Sequence, residues 1–264
     1  MDSPRKSPPQ DRLLGVAVHA VTPETALRWL CDQAASSPTD GPPQYTVAIN
    51  PEKVMRTLRE PTLGPVLEGA GLKIPDGIGV VLASRMRGGP VVRRVTGIDL
   101  ALSFCREAAR HGWPTYLLGA APGVAEAAGA ELLRRYPGLP IAGTGDGYFR
   151  GHDLEIAERI RESGARVLLL ALGSPAQEYW MHNYLGKTGC RVGIGVGGTF
   201  DVLAGRMDRA PRTMRKLGLE WLYRLIREPA RYRRMAVLPV FRFRALVERR
   251  SQEKPPGGHS PEEV

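Results

Sequence analysis

The sequence predicts an α/β fold, in which a parallel sheet is wound by crossover helices and followed by a basic C-terminal helical appendage. Three observations support this prediction. Short apolar runs alternate along the chain with longer segments of helical period, which is the order of strand–helix–strand units. Several of these runs show no polar alternation, which is typical of parallel strands covered on both faces. The excess positive charge is confined to one segment near the C-terminal end.

Seven apolar runs are predicted to be strands, and the segments between them are predicted to be helices. The strands are residues 13–18, 45–49, 71–74, 115–118, 140–143, 167–172 and 192–196. The helices are residues 23–35, 52–67, 98–111, 122–136, 153–163 and 175–185. Because parallel neighbours need a crossover connection, usually a helix, the alternation indicates an open, wound sheet.

The net charge of +10 is distributed unevenly along the chain. Residues 206–250 hold 14 of the 37 basic residues and 4 of the 27 acidic ones, so the two signs cancel over the rest. We therefore predict one α/β domain over residues 12–205 and a basic helical appendage over residues 206–250. Residues 1–11 and 251–264 are predicted to be disordered tails because of their polar, Pro-containing composition. The concentrated charge favours an anionic partner over a merely solvated helix face.

Cysteine spacing and hydropathy exclude several classes of protein. Cys31, Cys105 and Cys190 lie far apart without a CxxC pair, which argues against a disulfide framework or a zinc site. No stretch approaches the roughly 18 apolar residues of a membrane-spanning helix, and the first dozen residues lack the apolar core of a signal peptide. The sequence therefore predicts a cytoplasmic protein.

Glycine and proline mark the turns that follow predicted strands, which is where open α/β sheets bind ligands. Each turn leads into a helix, so backbone N–H groups and the positive end of a helix dipole face the crevice. This arrangement suits a diphosphate. The turns are Asn50-Pro51-Glu52, Pro75-Asp76-Gly77, and residues 119–123, 173–178 and 195–198.

One turn also fits a dinucleotide-binding pattern, because Gly193, Gly195 and Gly198 form GxGxxG after a strand. An NAD-dependent oxidoreductase is therefore an alternative, although the pattern falls near the end of the sheet and no acidic strand end follows about twenty residues later. The five histidines show no metal-ligand spacing, and the chain has no Asp-x-Asp pair. We therefore expect no metal and no cofactor, and a diphosphate held by protein groups.

Several separated motifs carry a family resemblance. They are Asn50-x-Glu52, Pro75-Asp76-Gly77-Ile78-Gly79, Arg94-Val95-Thr96-Gly97, Leu118-Gly119 with Pro122-Gly123, Gly173-x-Pro175-x-Gln177-Glu178, Gly195-Val196-Gly197-Gly198-x-Phe200-Asp201, Arg209-Ala210-Pro211, and Gly218-Leu219-Glu220-Trp221-x-Tyr223-Arg224 with Glu228-Pro229-x-Arg231. In these motifs the chain resembles the WecG/TagA/CpsF family of bacterial glycosyltransferases. It departs from the family pattern at Ala48, where threonine is frequent, and at Ala176, where lysine is frequent.

The resemblance implies a Rossmann-like catalytic domain and an appendage that meets the inner face of the cell membrane. It also implies transfer of N-acetylmannosamine, its uronic acid or a related hexose from a UDP donor to an undecaprenyl-diphosphate-linked acceptor. We expect a metal-independent, inverting enzyme of cell-wall, teichoic acid, common antigen or capsule synthesis. A nucleic-acid-binding protein is the alternative from another class, since a basic segment also suits phosphate backbones. That alternative leaves the Pro-Asp-Gly turn unexplained, so we expect no nucleic-acid partner. The sequence leaves open whether the protein forms a homo-oligomer.

Asp76 is the candidate general base, because glycosyl transfer needs a deprotonated acceptor hydroxyl and a carboxylate is ionised near neutral pH. A helix N-cap is its alternative role. The amides of Asn50 and Gln177 suit uridine or sugar hydroxyls, and Arg94 suits the diphosphate. Glu178 either binds ribose or favours a helix start. The candidate substrate-binding residues also include Thr96, Gly97, Gly119, Gly173, Gly195 and Gly197.

The appendage carries the remaining candidate contacts. Arg224, Arg227, Arg231 and Arg234 step by three, four and three residues, which would align them on one helical face. At about 1 kcal/mol per basic residue near an anionic leaflet, four arginines contribute roughly 4 kcal/mol, enough for peripheral and reversible docking. The family resemblance places Arg224, Arg231 and Arg234 against the acceptor diphosphate.

Overall fold

The computed structural model describes residues 8–227 and 237–252 of the chain. Its strands are β1 (Gln10–Leu13), β2 (Val16–His19), β3 (Gln44–Ile49), β4 (Leu72–Pro75), β5 (Thr115–Gly119), β6 (Ile141–Gly145), β7 (Val167–Ala171) and β8 (Val192–Gly195). Its helices are α1 (Pro23–Ala35), α2 (Pro51–Thr57), α3 (Leu63–Glu68), α4 (Ile78–Met86), α5 (Gly97–His111), α6 (Val124–Arg135), α7 (Asp153–Glu162), α8 (Ala176–Tyr184), α9 (Thr199–Leu203), α10 (Arg212–Lys216), α11 (Glu220–Arg227) and α12 (Val237–Gln252).

Six strands of the described chain form one parallel sheet in the order β4-β3-β8-β7-β5-β6, which confirms the predicted α/β fold. Strand β3 pairs with β4 on one side and with β8 on the other. Strand β7 joins β8 to β5, and β6 forms the far edge. Because all six strands are parallel, their carboxyl ends meet at the same edge of the sheet.

Helices cover both faces of this sheet, and each face has its own apolar core. Leu168 and Leu170 of β7 belong to the core beneath α2, α4 and α8, whereas Val167 and Leu169 belong to the core beneath α1, α5 and α6. Successive residues of a strand point to opposite faces, so a strand covered on both faces needs apolar residues throughout. For this reason β7 is buried along its whole length and shows no polar alternation.

The chain leaves the neighbouring strands β3 and β8 toward opposite faces of the sheet. Helix α2, after β3, buries Val54 and Met55 in one core, whereas α9, after β8, buries Phe200 and Leu203 in the other. The two loops therefore diverge and leave a crevice between the strand ends. Such a switch point is the usual ligand site of an open α/β sheet.

The first predicted strand, residues 13–18, is instead part of a hairpin. Strands β1 and β2 pair antiparallel across Leu14 and Gly15, whose φ angles are 50° and 83°. Two central residues with positive φ form the tight turn that matches the twist of a hairpin. The apolar run continues through this turn, so hydropathy alone does not reveal it. The hairpin lies beside β4, where His19 Nδ1 accepts a hydrogen bond of 3.0 Å from the backbone N–H of Lys73.

Two helical segments also differ from the prediction. The helix predicted over residues 52–67 is divided into α2 and α3, with Pro61 between them. Proline lacks the backbone N–H that a continuous helix needs and clashes with the preceding turn. Helix α4 was not predicted, because residues 78–86 form a largely apolar stretch with a weak helical period.

Helices α10, α11 and α12 form the described part of the predicted appendage. Helix α12 packs on α2 and α4, and its Phe241 and Ala245 are each only 2% exposed. It therefore completes one apolar core of the sheet. No helix within the described residues has the length and apolarity needed to cross a membrane. Arg231 and Arg234, together with residues 1–7 and 253–264 of the predicted tails, lie outside the described residues.

Candidate active site

A cavity of about 910 Å³ opens at the carboxyl edge of the sheet, above the ends of β3, β4 and β8. Its size is typical of small-molecule sites in proteins. The loops after these strands form one end, and α2, α4, α11 and α12 form the other. The cavity brings together eight of the residues predicted from sequence: Asn50, Asp76, Arg94, Thr96, Gly97, Gln177, Gly195 and Gly197.

Gly119, Gly173 and Glu178 do not belong to the cavity lining of the described chain. Gly119 has φ of 124°, and a Cβ there would lie 2.5 Å from the Ala171 backbone, so its close approach is to the neighbouring strand. Gly173 has φ of 75° in the turn after β7. Glu178 is 1% exposed and forms an ion pair with Lys53, which does line the cavity.

Asp76 directly follows β4, and its backbone N–H donates to the Ile49 carbonyl of β3 at 2.8 Å. Helix α4 begins after Gly77, which occupies the N-cap position with φ of 114°, so Asp76 precedes the cap. Across the cavity, Asp76 Oδ2 lies 4.0 Å from the position that a Cβ would take on Gly97. The carboxylate is therefore directed at the first residue of α5. A larger residue at position 97 would narrow this gap.

The N-terminus of α5 is held in place by an acidic side chain. Thr96 Oγ1 donates to Asp99 Oδ2 at 2.5 Å, and Arg209 Nη2 donates to the same oxygen at 2.7 Å. Burial alone would raise the pKa of Asp99, but the hydrogen bonds from Thr96 and Arg209, together with the positive charges of Arg209 and Arg215, outweigh it and lower that pKa. Thr96 therefore stands at the cavity with its hydroxyl committed to Asp99, while Gly97 opens the helix beside Asp76.

Gln177 lies in the first turn of α8, below the loop that follows β8. Its Oε1 accepts a hydrogen bond of 3.2 Å from the backbone N–H of Gly197, and its Nε2 donates to Glu178 Oε1 at 3.2 Å. A Cβ on Gly195 would lie 2.6 Å from Gln177 Nε2. Gly195 therefore leaves the space that the amide occupies. Glycine at position 195 is therefore needed for the Gln177 side chain to take this position.

Asn50 caps the helix that follows β3. Its Oδ1 accepts a hydrogen bond of 2.8 Å from the backbone N–H of Lys53, which satisfies one of the free donors of α2. The side-chain amide nitrogen has no hydrogen-bond partner within the described residues, so it can donate to a ligand. The side-chain oxygen of Asn50 thus caps α2, while its amide nitrogen can donate a hydrogen bond to a ligand at the cavity wall.

Arg94 connects the cavity to the appendage. Its Nη2 donates to the carbonyl oxygen of Arg215 at 3.2 Å, and it lies 3.8 Å from Glu220 Oε2. Glu220 and Trp221 of α11 line the cavity too, and sequence reasoning did not select either as a site residue although both stand in a quoted motif. Arg224 follows on the same helix.

The far end of the cavity is apolar, which sequence reasoning also missed. It is lined by Leu82 and Met86 of α4 together with Leu238, Phe241 and Phe243 of α12. Leu82 is 46% exposed and Phe243 is 69% exposed, whereas Phe241 is buried. The cavity therefore has a polar end at the sheet and an apolar end between two helices. The apolar stretch of the appendage was the available signal, but nothing in it indicated the partner helix α4.

A wound parallel sheet with polar side chains and helix N-termini around a crevice at its carboxyl edge defines an α/β enzyme that binds its ligand at the strand ends. The chain belongs to the WecG/TagA/CpsF family of glycosyltransferases: the profile described as "Glycosyl transferase WecG/TagA/CpsF family" matches residues 12–255. The family resemblance seen in the sequence is thereby confirmed. The protein is a glycosyltransferase.

Two relatives illustrate the similarity. One, from Bacillus spizizenii strain W23, is 36% identical over 211 residues, which cover 80% of this chain and 82% of the relative. The other, from Bacillus subtilis strain 168, is 34% identical over 205 residues, which cover 78% of this chain and 80% of the relative. Both relatives are named N-acetylglucosaminyldiphosphoundecaprenol N-acetyl-beta-D-mannosaminyltransferase.

The glycines that suggested an NAD-dependent oxidoreductase have a packing role. A Cβ on Gly193 would lie 3.0 Å from Met181 Sδ, and one on Gly195 would meet Gln177. Both glycines therefore let α8 pack closely on β8. The GxGxxG pattern arises from this close contact of helix and strand, so it does not indicate a dinucleotide site here.

Proposed function

We propose that the protein transfers N-acetylmannosamine from a UDP donor to the sugar of an N-acetylglucosaminyl-diphosphoundecaprenol acceptor. The observation that carries the proposal is the two-ended cavity, whose polar end contains a strand-end carboxylate, Asp76, and whose other end is apolar. A nucleotide-sugar fits the polar end, and a lipid-linked sugar needs the apolar one. The names of both relatives support the choice of sugar and acceptor.

Asp76 is the proposed general base. Its carboxylate takes the proton of the acceptor hydroxyl as that oxygen forms a bond to the anomeric carbon. The bond from the anomeric carbon to the diphosphate oxygen breaks, and its electron pair stays on UDP. Attack from the face opposite the leaving group inverts the anomeric centre, and the state between is oxocarbenium-like. The position of Asp76 opposite the N-terminus of α5 supports this role.

The leaving diphosphate is proposed to be held by the N-terminus of α5 and by Arg94. Backbone N–H groups at a helix N-terminus favour an anion, and a guanidinium strengthens the contact through charge-assisted hydrogen bonds. Among the described residues, no group of three or more His, Cys, Asp and Glu side chains is arranged to hold a metal ion. Protein groups therefore take the role of charge stabilisation in this proposal.

Transfer is expected to be insensitive to a divalent-metal chelator, because helix dipole and arginine replace the metal. The measurement is the rate of sugar transfer with and without excess EDTA, after the protein has been dialysed against the chelator. A mutant in which Arg94 is replaced by alanine should lose transfer under both conditions. Loss of transfer on chelation, with recovery on adding magnesium or manganese, would contradict the metal-free assignment.

Asn50 and Gln177 are the proposed donor-binding amides. The free amide nitrogen of Asn50 suits a carbonyl oxygen of uracil or a hydroxyl of the sugar. The hydrogen-bonding groups of the Gln177 amide that Glu178 and Gly197 leave unused suit the same partners. Ala48 lines the same wall. The methyl group there adds no hydrogen bond, so recognition relies on the two amides.

The acceptor lipid is proposed to enter between α4 and α12, over Leu82, Met86 and Phe243. The appendage carries further exposed apolar residues, with Leu217 70% exposed and Ile226 65% exposed. Exposed Arg242 and Arg244 flank Phe243, a combination that suits the surface of an anionic membrane. Arg224, Arg231 and Arg234 remain proposed contacts of the acceptor diphosphate. The protein would thus work at the inner membrane surface without spanning it.

A transfer assay tests the function directly. Purified full-length protein is incubated with UDP-N-acetylmannosamine and a short-chain lipid diphosphate that carries N-acetylglucosamine. The disaccharide-lipid product is then measured by mass spectrometry. UDP-N-acetylglucosamine and UDP-glucose serve as competing donors, and an acceptor without the sugar serves as the blank. Formation of product only from another donor would replace the proposed sugar, and no product from any donor would contradict the proposal.

A further inference from the structure

A buried ion pair lies at the wall of the polar end of the cavity, where Lys53 is a lining residue and Glu178 is not. Lys53 Nζ is 2.7 Å from Glu178 Oε1, and the side chains are 5% and 1% exposed. Removing two charges from water is costly, and a buried ion pair often stabilises a protein no more than an apolar pair of similar volume. The other carboxylate oxygen, Oε2, is buried with no hydrogen-bond partner within the described residues. Stability is therefore a weak explanation for this arrangement.

The ion pair joins the two amides of the proposed donor site. Lys53 lies in the first turn of α2, where its backbone N–H is capped by Asn50. Glu178 follows Gln177 in α8, and its Oε1 accepts from Gln177 Nε2 at 3.2 Å while also pairing with Lys53. On its other side, the Gln177 amide accepts the backbone N–H of Gly197. One buried network thus links the loops after β3, β7 and β8.

These contacts specify which way round the Gln177 amide lies. An ionised carboxylate accepts hydrogen bonds and cannot donate them, so the amide group beside Glu178 must be the nitrogen. A backbone N–H donates, so the group beside Gly197 must be the oxygen. A flipped amide would place two acceptors together and two donors together. The space left by Gly195 then admits the amide in this position.

We propose that Glu178, held by Lys53, is a positioning residue that orients the Gln177 amide toward the sugar-nucleotide. The inference rests on the proposed function. An amide offers two N–H donors and two oxygen lone pairs, of which Glu178 and Gly197 use one each. One N–H and one oxygen lone pair remain available to bind the UDP-sugar. Glu178 lies outside the cavity lining, so it acts on the ligand through its neighbour and not by binding ribose.

Two double variants separate orientation from stability. Lys53→Met with Glu178→Gln and Lys53→Met with Glu178→Met both remove the buried charges, but only the first retains an oxygen that accepts from Gln177. We expect the first to keep kcat/KM for the donor within about tenfold of the wild type. The second should fall to the level of Gln177→Ala. Thermal unfolding of both is measured alongside, and Glu158→Gln at the exposed Arg161 pair is the control for a lost ion pair.

A second comparison remains informative even if one double variant unfolds. In a Gln177→Ala background, adding Lys53→Met with Glu178→Met should change kcat/KM less than about twofold, because the residue through which Glu178 acts is gone. A further loss as large as that in the wild-type background would overturn the proposal. Equal transfer by the two folded double variants would also overturn it, since the pair would then be purely structural.

The proposed function can fail separately from this inference. If the wild type binds UDP in calorimetric titration but transfers no N-acetylmannosamine, the proposed reaction is wrong. The two double variants are then compared by their affinity for UDP. Weaker UDP binding by the variant that carries Glu178→Met than by the variant that carries Glu178→Gln supports positioning, and equal binding by both overturns it.

Discussion

Replacing Asp76 by asparagine is expected to lower sugar transfer by about 10²-fold or more while the fold and UDP binding are retained. Asparagine has nearly the same size as aspartate, but it cannot accept the proton of the acceptor hydroxyl. The backbone N–H of residue 76 would still donate to the Ile49 carbonyl, so the turn after β4 should persist. The measurements are kcat with the lipid-linked acceptor, the unfolding temperature, and UDP affinity by titration.

Asp146 provides a matched control for this variant. It also follows a strand of the same sheet edge, after β6, but it lies outside the cavity lining of the described chain. Its Oδ1 accepts from the backbone N–H of Tyr148 at 2.8 Å, a contact that asparagine can keep. Asp146→Asn should leave kcat within about twofold of the wild type. Unchanged turnover in Asp76→Asn would end the general-base assignment.

Replacing Phe241 by alanine is expected to lower the free energy of unfolding by about 3–5 kcal/mol. Phe241 is 2% exposed and belongs to the apolar core that α12 shares with α2 and α4. The substitution would leave an apolar void and loosen one wall of the cavity, so transfer should fall as well. Urea unfolding followed by circular dichroism measures the stability. A change of less than about 1 kcal/mol would show that α12 is not packed as described.

Phe243, two residues further along the same helix, is the matched control. It is 69% exposed, so Phe243→Ala should change the free energy of unfolding by no more than about 0.5 kcal/mol. The same variant should bind anionic vesicles more weakly, because an exposed aromatic flanked by arginines suits the membrane interface. Vesicle binding should also weaken as salt shortens the Debye length from about 8 Å to about 3 Å. Equal sedimentation of variant and wild type would contradict the membrane role, and tighter binding to duplex DNA would favour the nucleic-acid alternative.

Because α12 packs on the core, deleting the appendage would also disturb the fold. A chain that ends near residue 206 would expose the core face covered by Phe241 and Ala245. Such a truncation would remove part of the fold together with the proposed membrane contacts. Single substitutions on the exposed face of α12 separate the two effects, which deletion cannot do.

The strand-and-helix alternation, the position of most elements and the turns at the strand ends followed from the sequence alone. These features depend on local chemistry: the spacing of apolar residues, the conformational range of glycine and the missing N–H of proline. The same local signals placed Asp76, Asn50 and Gln177 at strand exits, where parallel sheets gather their ligand-binding loops. These local signals did not predict the turn at Leu14 and Gly15, because the apolar run continues through it.

Contacts between distant parts of the chain appeared only in the folded structure. Lys53 and Glu178 are 125 residues apart in the sequence, and Arg94 is 121 residues from the Arg215 carbonyl that it binds. Their meeting depends on which strands are neighbours, and periodicity predicts strands without predicting their order in the sheet. The placement of β8 between β3 and β7 brings Asn50 and Gln177 to the same cavity, and the docking of α12 on α4 creates the apolar end of that cavity. Each arises because burial of apolar surface selects one packing of the elements, and that packing decides which polar groups share a site.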